Sequence, residues 1–228
     1  VRGLYFPENA HTVDPLGLVT GLIELFVQAG GVVVREQVCG FGLVSGQAER
    51  VILSKGSLRA DAFVLAAGLA SAPLAATLGD RVPLQAERGY HVMLPDPGVR
   101  PRVKVGNRDQ MFGLTPMRAG VRISGAVEIT RAHATADMRR AQTLLGNAQR
   151  MYPGPNAEGA TFWMGDRPST PDSLPVIDRA SGAANIVYAF GHGHSGLTGA
   201  PMTARLVADL VAQRVPAIAI SPFSIARF

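Results

Sequence analysis

Apolar positions at Leu16, Val19, Leu22, Ile23, Phe26 and Val27 recur in steps of three and four residues. That is the period of one helical face. Asp14-Pro15 in front of them reads as an N-cap followed by proline at the first helical position, and Gly30-Gly31 closes the helix. The period then changes. Val32–Glu36, "VVVRE", is a short β-branched run and predicts a strand after the helix. Turn signals at Ser45-Gly46 and Lys55-Gly56 divide the following segment into strands of an antiparallel meander. The last apolar run, Ala62–Ala66, suits a strand buried on both faces of a parallel sheet. It ends in Ala67-Gly68, small residues where a ligand or another backbone can come close.

From about Pro83 to Gly165 the texture differs. "GYHVML", "MFGLTPMRAGVRISGAVEI" and "ATFWMGDRP" predict long antiparallel strands, with Pro116 to Gly120 as a hairpin connection. Ala136–Met151 is the helix of this region, ended by Pro153-Gly154. A proline-rich loop, "RPSTPDSLPVIDRASG", leads to "NIVYAFGHGHSGLTGAP". Here a strand, Ile186 to Phe190, runs into a glycine- and histidine-rich turn and then a helix from Leu197 to Gln213. "SPFSIARF" reads as a loose tail, and no internal repeat is visible. The pattern predicts an α/β fold with an α+β admixture: a parallel sheet with helices, and an attached antiparallel domain.

Composition narrows the function classes. The chain has 228 residues, 47% of them apolar, with a formal charge of +5. Its arginines are scattered, without the basic stripe and interleaved aromatics that nucleic-acid binding favours. Cys39 is the single cysteine, which fits a reducing compartment and rules out an intrachain disulfide framework. No apolar run reaches the ~18 residues of a membrane span. The expectation is a cytoplasmic protein, with peripheral attachment to the inner membrane left open.

Three segments are candidates for chemistry. Gly191, His192, Gly193, His194, Ser195 and Gly196 lie between a strand and a helix, where backbone N–H groups and the helix dipole face outward together. The bland alternative is a tight connection. A serine-hydrolase elbow fails because Gly193-His194-Ser195-Gly196-Leu197 lacks its final glycine. His192 and His194 alone do not complete a metal site, and no metal is expected. Gly191-x-Gly193-x-x-Gly196 matches the dinucleotide glycine spacing, but Asp209, the acidic residue in range, falls inside the helix. The second candidate is Arg167, at the end of the strand carrying Phe162 and Trp163. Its planar fork suits a carboxylate held bidentately. The alternative is a structural salt bridge, to Asp172 or Asp178. The third is Tyr90-His91, whose side chains point to opposite faces of a strand. One of them could face a pocket, although spacing favours packing.

Five stretches taken in order, "HTVDPLGLVTGL", "ADAFVLAAGLAS", "LQAERGYHVML", "ATFWMGDRPSTPDSLPVI" and "FGHGHSGLTGAP", carry a resemblance. The chain resembles the C-terminal part of the D-amino-acid oxidase/dehydrogenase superfamily of FAD-dependent oxidoreductases, closest to the bacterial D-amino-acid dehydrogenase branch. The "SPFSIARF" ending is similar too. The resemblance implies part of an FAD-binding Rossmann-like domain with an antiparallel-sheet substrate domain. The boundaries it implies are 12–82 and 169–228 for the FAD-binding part, and 83–168 with 1–11 for the substrate part. It further implies Val38 near the adenine and Ala67 and Gly68 beside the dinucleotide. Gly191, His192, Gly193, His194, Ser195, Gly196, Leu197 and Thr198 would line the flavin ring. Arg167 would hold the substrate carboxylate, with Tyr90 and His192 near the reacting centre.

The implied reaction is oxidation of an amino acid to an imine and then a 2-oxo acid, by hydride transfer to flavin. Glycine, sarcosine or a cyclic imino acid is the alternative substrate class. The family begins with a Gly-x-Gly-x-x-Gly strand–turn–helix that holds the FAD pyrophosphate. The resemblance places Val1 inside the family pattern, after that first βαβ unit. The expectation is therefore a chain that does not complete a catalytic cycle alone. A missing N-terminal portion, a second chain or self-association would cover what the absent unit leaves bare. An inactive remnant or partner-binding module is the rival function. Asp178 stands where family members often have glycine.

Overall fold

The computed structural model describes residues 3–131, 134–152 and 154–228. Four α-helices and eleven strands follow one another along it. They are α1 (Pro15–Gln28), β1 (Val38–Val44), β2 (Gln47–Leu53), β3 (Gly56–Arg59), β4 (Phe63–Leu65) and α2 (Ser71–Ala76). Then come β5 (Gln85–Leu94), β6 (Val105–Asn107), β7 (Phe112–Met117), β8 (Gly120–Thr130) and α3 (Arg139–Met151). β9 (Thr161–Ser169), β10 (Val176–Ala180), β11 (Ala183–Phe190) and α4 (Gly196–Val211) complete the order. Three sheets result: β1-β2-β3, β10-β11-β4 and β6-β7-β8-β5-β9. Among the described residues no helix is long and apolar enough to cross a membrane.

The chain divides into two units, 1–33, 89–127 and 135–165 in one, and 34–88, 128–134 and 166–228 in the other. α1 falls in the first unit, and the boundaries cut through β5, β8 and β9. The first unit has its own core. Tyr90, Val92, Phe112, Leu114, Val121 and Ile123 alternate inward from strands and meet Ala141, Leu144 and Ala148 of α3. The α3 residues recur at steps of three and four, so one helical face is spent on this contact. Pro153, expected to end α3 together with Gly154, lies outside the described residues. Asp14 caps α1 as expected: its Oδ1 accepts from the Gly17 N–H at 2.9 Å. Yet none of α1's residues is buried, and Leu16 is 77% exposed.

The second unit holds the meander and the mixed sheet. Its core joins Leu65, Leu74, Leu78, Val176, Ile186, Tyr188 and Phe190. Leu206 and Leu210 of α4 cover the other face through Ile177 and Val187. β4 pairs parallel with β11, and β10 pairs antiparallel with it.

Four expectations need correction. Val32–Glu36 carries no strand, since a β-branched run becomes one only with ladder partners, and Val32 is 78% exposed. Ala62–Ala66 does belong to a parallel pair, but Val64 on its outward face is 47% exposed, so the strand is covered on one face. The proline-rich segment contains β10, because Val176 and Ile177 are wholly buried against the neighbouring elements. The tail is docked. Asp178 accepts from Ser224 Oγ at 2.6 Å and from the Ile225 N–H at 2.9 Å, and Arg227 Nε lies 2.7 Å from Asp172 Oδ2. Asp178 is thus the anchor of the chain's final turns.

Candidate functional site

The parallel pairing of β4 and β11 sets Leu65 beside Tyr188, so both strands end on the same side. The carboxyl end of parallel strands is where open α/β sheets take ligands. Each strand leaves through a glycine in the left-handed region, Gly68 (φ +59°) after β4, and Gly191 (φ +80°) and Gly193 (φ +50°) after β11. A Cβ added at Gly193 would also stand 2.9 Å from Ser169 Oγ. Backbone shape and space both ask for glycine there. The Ala67 N–H is already used, donating to Ser71 Oγ at 2.9 Å.

The turn after β11 continues through a single 3-10 turn, Gly193–Ser195, straight into α4. Ser195 is the N-cap, yet its side chain bonds none of the helix N–H groups. No side chain caps the start of α4, and the dipole adds roughly half a positive charge at that end. His194, Ser195, Leu197 and Thr198 are exposed, while Gly191 is buried and His192 and Gly196 are half-buried. His192 turns its ring to α4, where Nε2 lies 2.9 Å from Thr203 Oγ1. Burial holds its pKa below the usual histidine range, so it is neutral at pH 7.

Arg167 sits half-buried on β9, and its Nη1 is buried without a hydrogen-bond partner among the described residues. The acids expected as structural partners are engaged elsewhere. Asp172 pairs with Arg227, and Asp178 holds the tail. Asp166, its neighbour in sequence, pairs with Arg88 at 2.8 Å. An arginine nitrogen desolvated without an acceptor costs free energy, so it fits a site that receives an anion.

The other expected residues lie elsewhere. Tyr90 is 2% exposed in the first unit's core, where its hydroxyl accepts from the Asp137 N–H at 3.2 Å. His91 stacks on Trp163 with ring centroids 4.7 Å apart. Burial, helped by the Arg122 charge, pushes its pKa down to about 4. Val38 begins β1 opposite Leu53, at the other end of the β1–β2 pair from the Val44–Gln47 turn. The structure thus brings Ala67 and Gly68 to the same strand ends as Gly191, and sets Tyr90 in a separate core.

Sequence reasoning missed Glu87 and Ser169. Ser169 Oγ donates to Glu87 Oε2 at 2.7 Å, and Glu87 Oε1 lies 2.8 Å from His194 Nδ1. It missed the Arg88–Asp166 pair as well. The signal was available: two long strands, "LQAERGYHVML" and "ATFWMGDRP", each carry an adjacent acid and base among apolar residues. Charges in such strands require partners across the sheet.

Comparisons with known proteins follow the same outline. The family described as FAD dependent oxidoreductase, DAO, matches residues 1–210. A D-amino-acid oxidase of Bradyrhizobium diazoefficiens is 38% identical over 230 residues, covering 99% of this chain and 55% of that protein. A D-amino acid dehydrogenase of Chromohalobacter salexigens is 36% identical over 177 residues, covering 76% of this chain and 42% of that protein. The chain spans about half the length of these relatives. Among solved structures, glycine oxidase from Geobacillus kaustophilus matches with a TM-score of 0.81 at 24% identity, over 92% of this chain and 57% of that one. L-proline dehydrogenase from P. horikoshii matches with 0.81 at 20% identity, over 94% and 60%. At these identities the likeness is one of fold.

Proposed function

The chain belongs to the DAO family of FAD dependent oxidoreductases, and on that premise we propose that it works as an FAD-dependent, D-amino-acid-dehydrogenase-like enzyme. Its substrate would be an amino acid, and its product an imine that hydrolyses to a 2-oxo acid. The observation that carries this reading is the buried Nη1 of Arg167, which has no hydrogen-bond partner among the described residues. A guanidinium so placed suits a carboxylate, which accepts two parallel N–H bonds. The residues at the strand ends fit the cofactor. Positive-φ glycines admit close backbone approach, and the uncapped start of α4 offers donors to negative charge.

When bound, FAD supplies the hydride acceptor. This chain's residues do the rest by positioning. Arg167 fixes the carboxylate and so the orientation of the α-carbon. The Gly191–Thr198 turn would set backbone against the flavin ring, where the α4 dipole would favour negative charge. Ala67 and Gly68 would hold the dinucleotide, and Val38 the adenine. Tyr90 and His192 are retained near the reacting centre on the resemblance alone. The proposed division into cofactor segments 12–82 and 169–228 and substrate segments 1–11 and 83–168 goes with this reading. The exposed free thiol of Cys39 supports a reducing, cytoplasmic setting.

The decisive experiment is Arg167→Lys in the full-length protein, assayed with amino-acid substrates. Lysine keeps the charge and loses the fork. Losing one charge-assisted hydrogen bond, about 1.5–3 kcal/mol, raises KM roughly 10- to 150-fold. Unchanged KM and kcat would remove Arg167 from the site. A second reading, a module that binds a partner, has one observation in its favour: the bare apolar face of α1. It predicts a colourless purified protein, whereas the enzyme reading predicts a yellow one.

A further inference from the structure

Glu87 uses both of its oxygens. Oε2 accepts from Ser169 Oγ at 2.7 Å, and Oε1 faces His194 Nδ1 at 2.8 Å. A carboxylate only accepts, so Nδ1 carries the hydrogen, and the tautomer this selects has its lone pair on Nε2. The order of these bonds matters. The serine hydroxyl donates to the carboxylate, not to the imidazole, so Ser169 is no nucleophile awaiting a base. It is the group that holds Glu87, and Glu87 holds the ring. The three come from distant parts of the chain: the start of β5, the end of β9 and the turn after β11. The Glu87 side chain is 20% exposed, while that of His194 is 57% exposed. A mostly covered carboxylate thus carries an imidazole that stands out from the surface.

The placement relative to Arg167 is informative. Arg167 and Ser169 are two apart on β9, so their side chains leave the same face of the strand. Their Cα atoms are ~6–7 Å apart by strand geometry. An α-amino acid carries its carboxylate and its ammonium on one carbon. A carboxylate seated on Arg167 therefore leaves the amine within reach of groups anchored at Ser169. Glu87 from β5 faces His194, and behind Glu87 stands the Ser169 hydroxyl from β9. His192, in the same turn, is committed to Thr203 on α4 and does not compete.

We propose that His194 is the base that takes the proton from the substrate ammonium, with Glu87 and Ser169 as the positioning residues behind it. This rests on the amino-acid-oxidising reading above. The step is a proton transfer alone: the N–H bond of the ammonium breaks, an Nε2–H bond forms, and the electron pair stays on the amine. The neutral amine can then drive hydride loss from the α-carbon. The imidazolium charge is compensated by Glu87, which already receives the Nδ1–H.

The test uses the full-length holoenzyme and four variants, His194→Asn, Glu87→Gln, Glu87→Asp and Arg167→Lys. FAD content is measured for each. Two readouts follow: the pH dependence of kcat/KM with an amino-acid substrate, and calorimetric binding of the carboxylic acid of the same side chain without the amine. His194→Asn should lower kcat by about 10²–10⁴ at neutral pH and remove the rise of rate with pH that the imidazole confers. It should leave binding of the amine-free acid unchanged. Glu87→Gln should reproduce a smaller loss of kcat with KM little altered, and Glu87→Asp should recover part of it. Arg167→Lys should weaken the amine-free acid. A His194→Asn enzyme with wild-type kcat and pH profile, beside an impaired Arg167→Lys, overturns the inference and leaves the function standing. Loss of FAD in His194→Asn assigns the ring to the cofactor and overturns it too. A wild-type holoenzyme that oxidises no amino acid overturns both.

Discussion

Asp166→Asn tests how the second unit holds the strand that carries Arg167. Arg88 is wholly buried, and its Nε lies 2.8 Å from Asp166 Oδ1. Its Nη2 donates to the Ala134 carbonyl at 2.8 Å and lies 3.4 Å from Asp166 Oδ2. Glu128 stands farther off, at 3.8 Å. Removing one partner of a buried ion pair leaves the other charge desolvated, typically at a cost of 3–5 kcal/mol. The substituted amide would still accept one bond through its oxygen, and Glu128 keeps some counter-charge, so the lower end, about 3 kcal/mol, is expected. In urea, with a slope of about 2–3 kcal/mol per molar for a chain of this size, the midpoint should fall by about 1–1.5 M. The thermal midpoint should fall by about 6–12 °C. Arg88→Met removes the cation instead. Its cost should be smaller, about 1–3 kcal/mol, because Asp166 is partly exposed and can be hydrated. The double variant should cost less than the sum by about 1–3 kcal/mol, the coupling of residues in direct contact. Far-UV circular dichroism through a urea titration reads all three. Strict additivity, or an Asp166→Asn midpoint within about 0.2 M of wild type, the limit of the method, would refute the reasoning.

Gly193→Val should lose FAD from the full-length protein, since valine must adopt φ +50° and its Cβ meets Ser169 Oγ at 2.9 Å. Wild-type occupancy with an unshifted flavin spectrum would rule the close approach out. The docked tail should depend on pH. The hydrogen bond from Arg227 holds the Asp172 carboxyl down at about 2, below its ordinary 3.8. A depressed folded-state pKa means the contribution is complete above about pH 4 and is lost as pH falls towards about 2. Hydrogen exchange at the Ser224–Arg227 amides should rise across that window, and Asp172→Asn should abolish the pH dependence. The bare face of α1 should drive association of this 228-residue chain. Light scattering after size exclusion should find oligomers, and Leu16→Glu with Leu22→Glu should reduce them; a wild-type monomer would count against it.

How far the sequence reached depends on where each signal lives. α1 was legible because its cap is local: Asp14 and Gly17 are three residues apart. So were the β7–β8 hairpin, where Met117 pairs with Gly120, and the passage from β11 through glycines into α4. Arg167 stood out because a guanidinium ending an apolar strand is costly anywhere. β10 was hidden, since three nearby prolines argue for loop and only the neighbouring β11 turns Val176–Ala180 into a ladder. Val32–Glu36 failed in the opposite sense, with every local sign of a strand and no ladder partner among the described residues.

By itself the sequence determined the local geometry: caps, turns, periodicities, and the glycines that only a positive φ explains. Those follow from sterics and hydrogen bonds within a few residues. The tertiary structure alone decided which charges meet. Glu87 finds Ser169 across 82 positions, and Arg88 finds Asp166 across 78. It also decided that the expected partners of Arg167, Asp172 and Asp178, serve the tail instead, leaving a buried guanidinium nitrogen without an acceptor among the described residues. A side chain's composition says that it needs a partner. Only the fold, by fixing which strands lie side by side, supplies or withholds one.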